Sequence, residues 1–340
     1  MTTAYFYLHV FIYDRFHFLL YIMTLSINKL SKRFSNAWIL KDAELNIERG
    51  SVIGIVGRKG SGKTTFLRIL AGLETPSGGS IELDGVSASV KASFVPATPV
   101  SGFIQRAFHK GINTVDTAKR QSEAIIEALE SSAEVLLFDD IFNFFDPAEI
   151  KTISKKISDS VKEKGKIAII SFDDFNDVYE ICDVAAILAD GRIVQAGEPA
   201  AVYDAPTNRV VAEVTGENNL IDARRLTSSK SELPEFQTLT GDHRVFAHKR
   251  ELAALGAINQ TVALAIRPEH ISLSFGASFP EDNLLKATIT DVNFRGATTM
   301  VGLDSNGLRL TALVLRLVGL NVGDECMVGL PPDRIHVLSE

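Results

Sequence analysis

The sequence predicts an α/β domain built on a parallel sheet, followed by a smaller all-β domain. Three observations lead there. Short apolar and β-branched runs alternate with helical stretches as far as about residue 214, the order that places helices against a parallel sheet. One of those runs, Ser51 to Val56, is apolar almost throughout rather than alternating, as a strand buried on both faces requires. Past about Val214 helical periodicity fades, and short strands separated by Gly, Asp, Asn and Pro take over. That spacing suggests a small antiparallel barrel or sandwich.

The elements follow in order. Leu25 to Leu30 reads as a strand, followed by a polar link through Phe34 and Trp38 and a second strand ending at Glu48. Gly50 turns the chain into the strand Ser51 to Val56; a glycine-rich turn follows, then a helical pattern from Thr64 to Leu73 closed by Pro76 and the Gly78-Gly79 pair. Strand signals recur at Ser80 to Leu83, Ala92 to Val95, Val135 to Phe138, Ile167 to Ser171 and Ala185 to Leu188, with helices at Thr117 to Glu130 and Pro147 to Lys164. In the second domain the expected strands are Val262 to Ile266, Leu285 to Val292, Thr298 to Leu303, Leu308 to Val314 and Glu325 to Leu330. The boundary is expected at Gly216 to Asn219, giving domains 23–216 and 217–340.

Composition narrows the function. The 340 residues are 46% hydrophobic and 23% charged, ordinary for a globular chain long enough for two domains. With 35 basic and 42 acidic residues the formal net charge is -7, so no general attraction to nucleic acid or anionic lipid is expected. Cys182 and Cys326 lie far apart in apolar runs, which fits buried thiols in a reducing compartment rather than a disulfide or metal site. Residues 1–22 are rich in aromatics but carry Asp14, Arg15 and His17 in their middle, too costly for a spanning helix. They read as an extension upstream of a start at Met23, with an interfacial anchor as the alternative.

The chemistry is concentrated at Gly57-Arg58-Lys59-Gly60-Ser61-Gly62-Lys63-Thr64, two glycines bracketing four residues before Lys and Thr. Glycines let backbone N–H groups, here those of Gly60 to Thr65, converge on phosphate oxygens at the positive end of the next helix. Lys63 is expected to reach the β and γ phosphates of ATP, and the Thr64 hydroxyl to ligate Mg²⁺. A strand directly before the loop and a helix directly after it make this a phosphate-binding loop rather than an ordinary turn. The second component is Val135-Leu136-Leu137-Phe138-Asp139, a buried strand delivering a carboxylate at its C-terminal end. Asp139 is the second expected Mg²⁺ ligand.

Together with Phe145-Asp146-Pro147 and Ala189-Asp190-Gly191-Arg192-Ile193, these motifs resemble ABC transporter nucleotide-binding domains. Glu198-Pro199 to Tyr203, Pro206 to Gly216 and Arg267-Pro268-Glu269-His270-Ile271 resemble the importer subgroup serving sugars, polyols, polyamines and ferric iron. The resemblance implies an ABC-type P-loop NTPase fold with an antiparallel subdomain, ending in an OB-like barrel called a TOBE or MOP-like domain. It also implies a dimer at the cytoplasmic face of the membrane, two permease subunits and an external solute-binding protein. Phe34 would stack on adenine, or simply belong to the core.

Several positions depart from the family's pattern. Asp140 stands where the family has the glutamate that polarises the attacking water, and one methylene less withdraws the carboxylate by roughly 1.5 Å. The family's histidine falls on Phe172 and its metal-coupling glutamine near Ala97. Counting back from Asp139, its serine-glycine-glycine signature falls on Val115-Asp116-Thr117-Ala118-Lys119. The segment between Ala97 and Val115 is shorter than the family's helical subdomain. Each ATP of such a dimer lies between one subunit's loop and the other's signature, so the resemblance implies a weakly active subunit paired with a second, competent ABC ATPase. The alternative is a non-hydrolysing ATP-binding regulatory module.

Overall fold

The computed structural model describes residues 24–87, 90–98, 114–227, 233–248, 255–275, 283–315 and 319–338. The expectations for residues 1–22, and for most of the segment between Ala97 and Val115, lie outside the described residues. Two compact units divide the chain, Met1–Ala200 and Ala201–Glu340.

In chain order the first unit contains β1 (Thr24–Phe34), β2 (Ala37–Glu48), β3 (Val52–Val56), α1 (Lys63–Leu70), β4 (Gly78–Leu83), β5 (Ala92–Val95), α2 (Thr114–Glu130), β6 (Val135–Asp139), α3 (Pro147–Lys164), β7 (Ile167–Phe172), β8 (Val184–Ala189) and β9 (Arg192–Gly197). Six strands form one sheet in the order β5-β6-β7-β3-β8-β9. All its pairings are parallel except β8 with β9. Every residue of β3, β6 and β7 is buried, as expected where layers cover both faces of a parallel sheet. A separate antiparallel sheet has the order β2-β1-β4, and Leu25, Ile27, Leu40 and Leu45 from it share one core with Ile53, Ile55, Phe66 and Leu137.

Local chemistry fixes where the helices begin. Asp146 accepts from the Glu149 N–H at 2.8 Å while Glu149 returns the bond to the Asp146 N–H at 2.9 Å, a reciprocal cap that satisfies two orphan donors of α3. Pro147 opens the helix with its dihedral already set, and Gly165 closes it at φ 61°. Such a cap is worth about 1 kcal/mol.

The hairpin differs from expectation. Instead of a polar link through Phe34 and Trp38, β1 and β2 pair to their ends, Arg33 opposite Trp38 and Phe34 opposite Ala37. Ser35 and Asn36 make the turn, and Ser35 adopts a positive φ of 49°. Both aromatics stay exposed beneath cations, with Lys32 Nζ 4.6 Å from the Phe34 ring centroid and the Arg33 guanidinium 5.7 Å from that of Trp38.

Helix α4 (Pro199–Asp204) spans the division; then come α5 (Arg209–Val214), β10 (Asn219–Arg225), β11 (Glu235–Thr238), β12 (Arg244–Phe246), β13 (Thr261–Ile266), β14 (Ser272–Ser274), β15 (Asn283–Phe294), β16 (Thr298–Ser305), β17 (Leu308–Leu315), β18 (Glu325–Leu330) and β19 (His336–Leu338). The strands form two antiparallel five-stranded sheets, β12-β11-β10-β13-β19 and β14-β18-β15-β16-β17. Their facing side chains, among them Ile221, Phe236, Leu264, Ile289, Leu303 and Val328, make the core of this unit. Two buried asparagines stitch the sheets together. Asn219 donates to the carbonyls of Ile266 and Thr311 and accepts from the Thr311 N–H; Asn283 does the same for Leu330 and Phe246. Buried amides satisfied in this way fix strand placement, because any slip orphans several polar groups.

The Arg267-Pro268-Glu269 segment has a structural explanation here. Buried Arg267 donates to the Thr215 hydroxyl at 2.6 Å and the Tyr203 carbonyl at 2.7 Å, with its guanidinium 3.7 Å from the Tyr203 ring centroid. The Tyr203 hydroxyl donates to Glu269 at 2.5 Å.

Candidate functional site

The glycine-rich loop leaves the C-terminal end of β3, and α1 starts at its lysine. Gly57 must be glycine, because a Cβ there would overlap the Leu188 carbonyl and the Ser61 hydroxyl. Gly62 caps α1 at φ 109°, a conformation that side chains resist, and its missing Cβ leaves room for the Ile39 carbonyl. The loop is thereby pressed against its surroundings and its shape is set before any ligand arrives.

Lys63 is buried, with its Nζ 2.6 Å from the Gly57 carbonyl and 3.3 Å from that of Arg58. Its third partner is the Asp173 carboxylate at 2.8 Å. Thr64, the next residue, donates its hydroxyl to Asp139 Oδ1 at 3.2 Å. The same oxygen accepts the Ser171 hydroxyl at 2.7 Å, since Asp139 and Ser171 are paired at the ends of neighbouring parallel strands β6 and β7. Loop, helix start and two strand ends thus meet at one edge of the sheet. They border a cleft of about 450 Å³ lined by Lys59, Gly60, Gly62, Lys63, Thr64, Thr65, Ala97, Asp139, Asp140, Ser171 and Asp173, with Ile39 on its rim.

Asp140 takes a left-handed conformation at φ 49° just past β6, which an aspartate tolerates better than most residues. Its N–H donates to the Ser171 hydroxyl at 2.9 Å and its carboxylate accepts from the Asn143 amide at 2.6 Å. Burial pushes the Asp140 carboxyl above its ordinary value; the Asn143 bond opposes this, while Asp173 and Asp139 add to it by charge repulsion.

The structure brings together the loop, Lys63, Thr64, Asp139 and Asp140, with Ala97 beside them. Phe34 stands exposed at the hairpin end and is not among the cleft-lining residues. Phe172 turns away from the cleft and stacks on Phe142, ring centroids 6.0 Å apart and planes 19° apart. Val115 to Lys119 fall in the first turns of α2, where Thr117 is buried while Ala118 and Lys119 border a second hollow with Phe144 and Phe145. Ser171 and Asp173 were not expected. Strand period could have found them, since residues 171 and 173 share a face and Asp139 ends the adjacent strand.

Hard oxygen donors at Thr64 and Asp139 suit Mg²⁺. Among the described residues no group of three or more His, Cys, Asp or Glu is arranged to hold a metal ion, so a metal here would share its coordination with phosphate oxygens rather than sit in a protein cage.

Fold and cleft define a P-loop nucleotide-binding protein. Residues 40–97 match the family model described as ABC transporter, and residues 264–338 match that of the TOBE domain. The chain thus joins a segment similar to ABC transporters with a C-terminal segment similar to TOBE domains. It is 23% identical over 360 residues to the Fe(3+) ions import ATP-binding protein FbpC of Photorhabdus laumondii, covering 92% of this chain and 97% of that one. It is 26% identical over 331 residues to the sulfate/thiosulfate import ATP-binding protein CysA 2 of Chromobacterium violaceum, covering 86% of each. Among solved structures, an ATP binding subunit of an ABC transporter has a TM-score of 0.45 at 19% identity, covering 52% of this chain and 91% of that one. The cbiO1 protein of Clostridium perfringens, part of the complex cbiONQ, has a TM-score of 0.43 at 24% identity, covering 53% and 90%.

Proposed function

We propose that the chain is the nucleotide-binding subunit of an ABC importer, in which MgATP binding drives solute uptake through two permease subunits at the cytoplasmic face of the membrane. The observation that carries this reading is the convergence of Lys63, Thr64 and Asp139 on one cleft at the strand ends of a parallel sheet. In the proposed complex the backbone N–H groups of Gly60 to Thr65 and the Lys63 ammonium hold the phosphates, and Thr64 and Asp139 hold Mg²⁺. The metal would neutralise charge on the phosphate oxygens. Phe34 would stack on the base from the hairpin end.

Hydrolysis by this chain is proposed to be weak. Asp140 is the candidate that would orient water toward the terminal phosphoryl group, but its shorter side chain is tied to Asn143, and misplacement by about 1 Å can cost on the order of 10²-fold in rate. The subunit would therefore work beside a competent second ATPase, with an external protein delivering the solute. The relatives are named for ferric iron and for sulfate or thiosulfate import, so a small inorganic ion is as well supported a cargo as a sugar or polyol. A second reading, a regulatory module that binds ATP without hydrolysis, is favoured by the same tether on Asp140.

Nucleotide titration of the full chain with Mg²⁺ tests the central claim. Wild type is expected to bind, and Lys63→Ala to lose at least about 10²-fold in affinity, the scale of removing a buried charge partner from an anionic ligand. Equal affinity in the two proteins would mean that the loop is vestigial.

A further inference from the structure

Two histidines lie side by side in the second unit, His248 and His336, their ring centroids 5.9 Å apart and their planes tilted by 44°. Topology puts them there. In the sheet ordered β12-β11-β10-β13-β19 the two outer strands are β12 and β19. His248 follows closely on β12, which ends at Phe246, and His336 opens β19.

The backbone holds the pair in register. Beyond β12 the His248 N–H donates to the Ile335 carbonyl at 3.0 Å, while the Ala247 N–H donates to the Pro234 carbonyl at 3.0 Å. Ala247, Ile335 and Val337 all belong to the core of the unit. Their neighbours are turned out of it, so His248 is exposed and His336 half-buried. One edge of the sheet is thereby brought to the other, with an imidazole on each.

Imidazole nitrogen is the commonest protein donor for divalent transition metals. An ion bonded at about 2.0–2.1 Å to one nitrogen of each ring spans centroids up to about 6 Å apart. The observed separation lies within that reach, and the exposed His248 side chain can turn to complete the geometry. Two nitrogens leave the other coordination positions to water, in keeping with the lack of any larger His, Cys, Asp or Glu group among the described residues. Both cysteines are buried and do not compete for the ion in the folded chain.

We propose that His248 and His336 form a two-histidine site for a divalent transition metal, with Cu²⁺ held most tightly, and that the ion staples one open edge of this sheet to the other. A cross-link made only by the folded chain stabilises that chain by mass action. Binding here requires nothing of the nucleotide cleft in the first unit.

Titration of the chelator-treated full chain with Cu²⁺, followed by electron paramagnetic resonance, tests the proposal in wild type, His248→Ala, His336→Ala and His243→Ala. His243 bonds to Ser305 at 2.9 Å and controls for loss of an imidazole elsewhere in the unit. Wild type is expected to take up one tight equivalent whose spectrum shows coupling to two imidazole nitrogens. Loss of an outer-shell partner alone costs about 10- to 100-fold in metal affinity, so each of the first two variants should lose at least about tenfold and one nitrogen coupling, with His243→Ala unchanged. Mg²⁺ in excess should leave the ion in place, since Mg²⁺ takes oxygen donors. His248 is exposed, so His248→Ala is expected to fold and decides the matter should His336→Ala not.

Saturation with Zn²⁺ should raise the melting temperature of wild type and not that of His248→Ala. A tight two-nitrogen signature that persists in His248→Ala means an adventitious ion only and overturns the site, as does the absence of any tight equivalent in wild type or its equal loss in His243→Ala. Zn²⁺ held by both histidines without a rise in melting temperature overturns the staple.

Discussion

The two ends of the cleft are built to different standards. At the loop end, Lys63, Thr64 and Asp139 keep the residue types that phosphate and Mg²⁺ recognition require; Thr64 and Asp139 meet within hydrogen-bond distance, and Lys63 lines the same cleft. At the strand end, beyond Asp139, the side chains are a tethered Asp140, an inward-turned Phe172 and Ala97. Loop-end geometry is locked by Gly57 and Gly62, where a side chain would meet neighbouring backbone, whereas the strand end is held by side-chain contacts, Ser171 with Asp139 and Asp140 and Phe172 with Phe142. On the proposed reading the groups for binding and those for turnover therefore lie at different ends of the cleft.

The strongest test of that contrast is repair. Asp140→Glu with Phe172→His would supply the two side chains that the resemblance places at the strand end, and loss of such groups typically costs about 10²- to 10⁴-fold. Paired with an ATPase subunit whose signature is intact, the double variant is expected to release phosphate about 10²-fold faster in single turnover than the unmodified pair. Alone it should stay slow if, as the resemblance implies, the site of a self-paired dimer would still face Val115 to Lys119. A large gain in the self-paired protein would mean that the signature lies elsewhere or that the site is not shared. The histidine must also leave the stack on Phe142 to reach the cleft, so a gain from Asp140→Glu alone would show that only the acid separates the two ends.

A smaller effect is expected where the ends join. The Ser171 hydroxyl donates to Asp139 and accepts from the Asp140 N–H, so Ser171→Ala leaves both groups short of a partner. Unfolding in denaturant should show a loss of about 1–3 kcal/mol, and the Mg²⁺ dependence of nucleotide binding should weaken. Unchanged stability would show that water replaces the hydroxyl freely and that the two ends are independent.

The smallest expected effect is a pH dependence at the strand end. A carboxyl whose folded-state value is raised binds its proton more tightly in the folded protein, so the contribution of Asp140 to stability is fully present below the ordinary aspartate range and is lost as pH rises through its elevated value. Asp140→Asn should flatten that part of the stability profile. Asn143→Ala should move the Asp140 titration, followed by carboxyl NMR, further upward, since the amide bond is what holds it down. A downward move would show that Asn143 has no hold on the charged form.

Much of this was legible because the informative residues obey strict local rules. The phosphate loop is readable as a string, since close approach to phosphate and to the Leu188 carbonyl leaves glycine as the only choice at Gly57. Pro147 to Lys164 was readable as a helical stretch between strand signals, and β3 and β6 from nearly continuous apolar runs. The hairpin was not, because Phe34 and Trp38 are exposed aromatics in strands whose pairing comes from the backbone. β10, β11, β12, β14 and β19 are short or polar on one face and gain their stability from neighbours distant in sequence. Asp173 was missed for the same reason. Nothing near it in sequence marks it; only the parallel register of β6, β7 and β3 carries it to Lys63.

Gly54 illustrates how tightly the first unit is closed, for an added methyl there would lie 3.1 Å from the Cys182 sulfur. That burial holds the thiol far above its ordinary value, and thiols react as thiolates. Cys326 is likewise buried within the second unit, and both cysteines are free. Neither is available to an alkylating reagent until its own surroundings come apart. The chain therefore holds a natural stopwatch in each unit: the rate at which each sulfur is labelled times how often that half of the molecule breathes open, without any mutation to install a probe.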